Sequence, residues 1–437
     1  MAKRLVLMLC VALSCGVFVA ACGGDDDGGG GGSAGGGGGS ATEGAKTIDP
    51  ASMDSAKGEV VYCTGKDTSG AQTKSVKDFN KEFESQGLSA KLLEFPESAD
   101  EQRNQFQQRQ RAKSGDCDIF YSDVIWTAEF ASQGWLYDLT SYVEQRKAEF
   151  IPSTFDTVAF EGKFFGVPKQ TDAGFIYYNT EEVDAVPETW QALYADAAKK
   201  KGLAYQGAAY EGLTVNFLEL AFAAGGKVLS DDGKKSEINS PENLKALQLM
   251  VDGIKNGAVP KAVTTYMEEQ ARRAFEAGRV TYERQWPYAY AKAAANPKTK
   301  GKFKVAPFPS FEGAGKAGIL GGHNLVVSAY SKNPAGALKL IDFQTSPEIV
   351  KQDAVEFSLA PTLVETYDDP DVIKALPFAP ELKEAVMQAK SRPVSPVYTQ
   401  VSQAIYENVN AALSGQMEPQ AALEKADADL NKALATF

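Results

Sequence analysis

The stretch EVVYCTGKDTSGAQTKSVKDFNKEFESQGLSAKLLEFPESADEQRNQFQQRQRAKSGDCDIFYSD, residues 59–123, alternates two periodicities, and that alternation decides the fold. EVVYC (59–63) is a short apolar run of the kind that forms a buried strand. TKSVKDFNKEF then sets Val76, Phe79 and Phe83 on one face of a helix that Gly87 stops. AKLLEF (90–95) reads as a second strand, and Ser98 with Glu101 forms a capping box that opens a long polar helix running to Gly115. CDIFYSD (117–123) is a third strand. Strand, helix, strand, helix, strand predicts a mainly parallel sheet with helices on both faces, an α/β fold.

Outward from this stretch the pattern continues. FFGVP (164–168) and FIYYN (175–179) read as strands. The chain then turns helical over 213–224, over 241–256 behind Ser240 and Pro241, and over 266–277, where Thr265 and Glu268 make a second capping box. AFEAGRVTYE (274–283) is a helix end followed by a short strand, and RQWPYAY (284–290) comes directly after it. KFKVAPFP (302–309) and GILGGHNLVVSAY (318–330) return to strand, and the C-terminal stretch is mostly helix. The 391 residues beyond position 46 exceed the usual size of one core. Their interleaving suits two α/β lobes between which the chain crosses more than once.

Lys3 and Arg4 precede an apolar run from Leu5 to Ala21 that ends in small residues before Cys22. That is the pattern of a signal peptide, here residues 1–21, rather than of a membrane span. Val19-Ala20-Ala21-Cys22 resembles the bacterial lipobox, which implies a lipid on Cys22 and a chain anchored to the membrane. Residues 23–44 hold thirteen glycines in twenty-two positions, so 22–46 reads as a lipidated, disordered tether.

With 45 basic and 57 acidic side chains the net charge is −12, a field that repels a phosphate backbone and excludes nucleic acid as the expected partner. One histidine excludes multi-histidine metal sites and H-E-x-x-H, and G-x-S-x-G occurs only at 31–35, inside the glycine-rich run and away from any strand-to-helix turn, so no metal or cofactor is expected. Outside the leader only Cys63 and Cys117 remain. An extracytoplasmic compartment invites a disulfide. Placed on neighbouring parallel strands, however, the two would be held apart, and this reading expects free buried thiols.

In order along the chain, DVIWTAEFASQGWLYDL (123–139), GVPKQTDAGFIYYN (166–179), YEGLTVNFLELAFAAGGKVLSDDGK (210–234), RRAFEAGRVTYERQWPYAYA (272–291), GGHNLVVSAYSKNPAGALKLIDFQTSPE (321–348) and SRPVSPVYTQVSQAIYENVNAALSG (391–415) resemble the extracellular solute-binding proteins of carbohydrate ABC importers. The branch most similar is that of the trehalose/maltose-binding lipoproteins, and the resemblance runs from about residue 57 to the C-terminus. It implies a two-lobe periplasmic-binding-protein-like fold of type II, with 47–170 and 311–357 in one lobe and 171–310 and 358–437 in the other. It further implies a monomer on the extracytoplasmic face of the membrane that binds a sugar between its lobes and, on hinge closure, hands it to a permease, without catalysis.

A sugar presents apolar C–H faces and a rim of hydroxyls, so its site needs aromatic platforms and fixed polar groups, gathered beyond the carboxyl ends of strands. Asp123 follows CDIFYS, Lys66 and Asp67 follow VVYCTG, and Asp172 precedes AGFIYY, all at such places. The resemblance implies that Trp286 and Tyr288 meet the sugar, Asp123 and Asp172 accept its hydroxyls, Arg392 donates to them, and Gly322 lets backbone approach closely. Where the trehalose-type branch has tryptophan after the double glycine this chain has His323, and where that branch has tyrosine before the hinge aspartate it has Gln170, which makes the pocket more polar. Tyr210, Glu211 and Arg103 complete the candidate set. Each residue also has a plainer role open to it: core for the two rings, a helix cap for Asp123, a hinge bond for Asp172, a salt bridge for Arg392. A charged His323 in the cleft would make binding pH-dependent between about pH 5 and 8. The competing functions are binding of a sugar phosphate or oligosaccharide, and glycoside hydrolysis by two of the many acids.

Overall fold

Strand and helix alternate through residues 58–123 because each apolar run ends in a turn residue and each helical segment buries one stripe. In the helix Ala71–Phe83, Val76 and Phe79 are buried, and Phe83 packs partly covered beside them. The computed structural model describes residues 42, 44–393 and 395–435; the expected leader, Cys22 and most of the tether lie outside them.

In chain order the strands are β1 (Gly58–Thr64), β2 (Leu88–Glu94), β3 (Ile119–Asp123), β4 (Ala159–Phe160), β5 (Lys163–Phe164), β6 (Val167–Asp172), β7 (Phe175–Asn179), β8 (Leu203–Ala204), β9 (Tyr282–Gln285), β10 (Phe303–Ala306) and β11 (Gly321–Val327). One sheet has the order β2-β1-β3-β11-β6, a second β10-β7-β9-β8, and β4 pairs only with β5. In the first sheet β1 runs parallel to β2 and β3, while β11 runs antiparallel to both β3 and β6. The second is mixed: β7 is antiparallel to β9 and β10, and β8 is parallel to β9. The architecture is the two-lobe α/β arrangement with flanking helices that the alternation predicts, but the sheets are mixed rather than mainly parallel, because the returning strand β11 and the strands β7, β9 and β10 pair antiparallel.

Each sheet carries its own apolar core. Val60, Phe79, Ile119, Leu325 and Leu338 belong to the first, and Phe175, Leu218, Met250, Tyr282 and Val401 to the second. The chain leaves the first sheet at Asp172 and enters the second at Phe175. Phe311, Ile319 and Leu320 still pack in the second core, so the return is complete only at Gly321, where β11 begins. No helix among the described residues is long and apolar enough to cross a membrane.

Three local expectations are corrected. The polar helix is Ala99–Arg111, shorter than predicted, and its N-cap Ser98 makes no side-chain bond. The segment near 266 starts its helix at Glu268, with Gln270 Oε1 accepting from the Met267 N–H at 3.1 Å, so Thr265 caps nothing. Ser240 does cap Pro241–Lys255, its hydroxyl accepting from the Asn243 N–H at 3.2 Å. Cys63 and Cys117 form a disulfide with their Cα atoms 5.8 Å apart. The expectation of free thiols placed Cys117 on the strand, but β3 begins at Ile119, and Cys117 sits in the bend before it, free to turn towards β1.

Candidate functional site

A cleft enclosing about 200 Å³ is lined from both lobes. Its residues follow the carboxyl ends of strands: Lys66 after β1, Asp123 on β3, Asp172 on β6 and Trp286 after β9. Because β11 is antiparallel, its first residues lie along the same edge, with Gly321 opposite Asp172 and His323 opposite both Asp123 and Gln170. Gly322 has φ +118°, and a Cβ there would stand 2.2 Å from the Gln170 carbonyl oxygen. Its glycine is thus required by β6 itself.

Twelve of the thirteen candidates line this cleft: Lys66, Asp67, Asp123, Gln170, Asp172, Tyr210, Glu211, Trp286, Tyr288, Gly322, His323 and Arg392. Arg103 does not. Its Nε donates to Glu129 Oε2 at 2.9 Å and its Nη2 to Glu129 Oε1, which draws the guanidinium away to a neighbouring hollow beside Tyr398.

The lining groups differ in how far they are already engaged. Lys66 pairs with Glu94 at 2.9 Å. Asp67 turns into its own loop, accepting from the Gly70 N–H at 2.8 Å and the Thr73 N–H at 2.8 Å, and so anchors the start of the helix Ala71–Phe83. Asp123 accepts from the Ile125 N–H at 3.2 Å, a turn bond ahead of the helix Thr127–Ser132, whose N-cap is Trp126, so the expected helix cap is not made; it also accepts from Arg392 Nη2 at 3.0 Å. Arg392 Nη1 donates to Glu211 Oε1 at 2.8 Å, and the Tyr398 hydroxyl donates to the same oxygen at 2.7 Å. Burial lifts the Glu211 carboxyl to about 7, with Arg392 opposing the rise. The Glu211 N–H donates to Asp100 Oδ2 at 3.1 Å and Lys292 Nζ to the Ser69 carbonyl at 3.1 Å, so direct bonds join the two lobes.

Asp172 is different. The Tyr121 hydroxyl donates to Gln170 Oε1, which fixes the amide so that its Nε2 donates to Asp172 Oδ2 at 2.6 Å. Asp172 Oδ1 is buried and has no hydrogen-bond partner among the described residues. An unpaired buried carboxyl oxygen on a cleft-lining residue is costly unless a ligand supplies a hydrogen-bond partner.

His323 stacks on Tyr121 with ring centroids 4.1 Å apart and planes at 6°. Burial lowers its pKa to about 4, against the pull of Asp123. The ring is therefore neutral from pH 5 to 8, and the pH dependence expected of it in that window is withdrawn.

Beside Glu211, a second carboxyl titrates near neutrality: burial pushes that of Asp172 up to about 8, with Gln170 and Arg284 offsetting part of the rise. The folded protein keeps a proton there that the unfolded chain releases above about pH 4. This group's stabilisation is therefore complete below that pH and is lost as pH rises through about 8. Asp172→Asn keeps the shape without titrating, so urea unfolding should show the variant gaining on wild type by roughly 1 kcal/mol per pH unit between about pH 5 and 7. Parallel stability profiles would mean that the native carboxyl is already ionised.

Trp286 and Tyr288 are both half-buried. The Arg284 guanidinium lies 3.9 Å from the Trp286 ring centroid, covering one face, while the ring lines the cleft. The Tyr288 hydroxyl donates to Glu269 Oε1 at 3.0 Å. Glu97, Glu268, Glu269 and Tyr121 also line the cleft and were not foreseen. Glu97 lies in the turn after β2 and was open to the same carboxyl-end argument as Lys66 and Asp123. Tyr121 carried no signal distinguishing it from core. Altogether Asp and Glu line the cleft at seven positions and Lys and Arg at two, and both cations are already paired.

Residues 66–351 match the model of the bacterial extracellular solute-binding protein family. A probable ABC transporter-binding protein of Deinococcus radiodurans is 35% identical over 366 residues, covering 79% of this chain and 86% of its own. Maltose-bound T. maritima MalE3 is similar in structure, with a TM-score of 0.81 and 35% identity over 86% of this chain and 99% of that one. A solute-binding protein from Thermotoga lettingae bound with alpha-D-tagatose has a TM-score of 0.78 at 26% identity, covering 86% and 99%.

Proposed function

The chain belongs to the bacterial extracellular solute-binding protein family, and we propose from that premise that it captures a neutral saccharide, a disaccharide or other α-glucoside, and delivers it to an ABC importer permease. The observation that carries this reading is the meeting, in one cleft, of the half-buried Trp286 ring with Asp172, whose Oδ1 is buried without a partner. A pyranose supplies what both lack: a C–H face for the ring and, for the carboxyl, a hydroxyl that can donate or accept. The maltose bound to T. maritima MalE3 is a ligand of this chemistry.

Charge separates this reading from its rivals. Seven acidic positions against two engaged cations disfavour a sugar phosphate, which needs free donors and positive charge. The hydrolase reading is disfavoured by the same engagement, because Asp123 and Glu211 are tied to Arg392 and Asp67 to its own loop. The lobes, which exchange chain after Asp172, before Gly321 and, in this reading, near 357/358, close about the sugar, and the closed form is what the permease distinguishes. The run Val19-Ala20-Ala21-Cys22 supports a lipid anchor that holds a monomer at the outer face of the membrane.

Trp286→Ala and Asp172→Ala should each weaken maltose binding at least ten-fold, roughly 1.4 kcal/mol, with circular dichroism unchanged. Calorimetry showing near-native affinity in both variants would remove the site, and accumulation of glucose during incubation would replace binding with hydrolysis.

A further inference from the structure

Resting on the carbohydrate reading, we infer that the Arg392–Asp123 ion pair is the end wall of the cleft and limits the ligand to a short saccharide. A second, smaller hollow lies directly behind this pair, lined by Val124, Ile125, Thr157, Leu320, Ser391 and Pro393 among others. Three cleft residues have chain neighbours in that hollow: Asp123 is followed by Val124, Gly321 is preceded by Leu320, and Arg392 sits between Ser391 and Pro393. The partition is therefore one residue thick, and of the residues lining these two hollows Arg392 alone faces both.

What fills the partition is a guanidinium held from both lobes. It is 5% exposed and donates to Asp123 at the end of β3 and to Glu211 at the start of the helix Glu211–Ala223. Glu211 is itself held by Tyr398 and by the Ser402 hydroxyl, so the side chain cannot swing aside without breaking a buried network. Two of the donors that could serve a sugar are thus used to hold the wall. A saccharide growing past this point meets the guanidinium fork, and each added ring must displace the pair or leave the cleft elsewhere.

The test is a chain-length series, maltose, maltotriose and maltotetraose, titrated calorimetrically into wild type, Arg392→Ala and Arg392→Lys. The lysine variant keeps a positive charge facing Asp123 and Glu211 should the alanine variant fail to fold. Wild type should lose at least ten-fold in affinity from maltose to maltotetraose. Arg392→Ala should shrink that ratio to within about three-fold, with Arg392→Lys in between. A crystal structure of Arg392→Ala supplies a ligand-free reading, in which the cleft and the rear hollow should be continuous. Wild type binding maltotetraose as tightly as maltose, an unchanged ratio in both variants, or two hollows still separate in Arg392→Ala would each overturn the wall. Failure of every glucan to bind any of the proteins, with the hollows joined, would instead refute the glucan reading and leave the wall standing.

Discussion

Replacing Cys63 and Cys117 together by alanine should lower the unfolding free energy by about 4 kcal/mol, the loop-closure value for a separation of 54 residues. The bond joins the end of β1 to the bend before β3, and so encloses the helix Ala71–Phe83, all of β2 and the helix Ala99–Arg111. Without it the unfolded chain recovers the freedom of that whole segment, while the native lobe loses little contact. Both sulfurs lie in a small aromatic cluster with Phe106, Phe120, Trp126 and Trp135, which reports unfolding by fluorescence. Wild type held reduced should unfold at the same urea concentration as the double variant, and the urea dependence should steepen as the denatured state expands. A difference below about 1 kcal/mol between oxidised and reduced protein would show that the denatured segment is already compact, since loop-closure entropy is then not recovered.

The same bond marks the limit of what periodicity reveals. The alternation of strand and helix around β1 follows from apolar runs and helical stripes, and Val60, Phe79 and Ile119 are buried as those patterns require. Disulfide pairing depends instead on a two-residue difference in where β3 begins, which no period resolves. The cleft was legible at Asp123, Asp172 and Lys66 because a carboxyl-end position is a sequence-level property. It was illegible where a side chain's commitment decides its use: Asp67 and Arg103 are ordinary candidates by position, yet the first is consumed by the Ser69–Thr73 turn and the second by Glu129. Arg284 and Glu219 were missed altogether. The signal was there in Glu219, a charge in the middle of a helix whose residues from Glu211 to Ala221 are all buried. A carboxylate in such a place requires a partner.

That partner gives the other large effect. Arg284 Nε donates to Glu219 Oε2 at 2.8 Å, Nη1 donates to Gln206 Oε1 at 3.1 Å, and the two charged side chains are 2% and 0% exposed. The pair is packed so tightly that a Cβ on Gly174 would come within 2.8 Å of Glu219 Oε1 and 2.7 Å of Arg284 Nη2, which is why the crossing between lobes carries glycine there. Arg284→Met should cost about 3–5 kcal/mol, because it strands a buried carboxylate. The loss should shrink in acid, since burial already pushes the Glu219 carboxyl up and, unpaired, it takes a proton. Adding Glu219→Leu removes the stranded charge and should restore stability to within about 1–2 kcal/mol of wild type. A single variant as stable as wild type would mean that water reaches the pair. The double variant also separates stability from binding: its fold returns, but the guanidinium that lay 3.9 Å from the Trp286 ring centroid is gone. If that contact fixes the ring's attitude in the cleft, maltose affinity falls in the double variant although its melting point recovers.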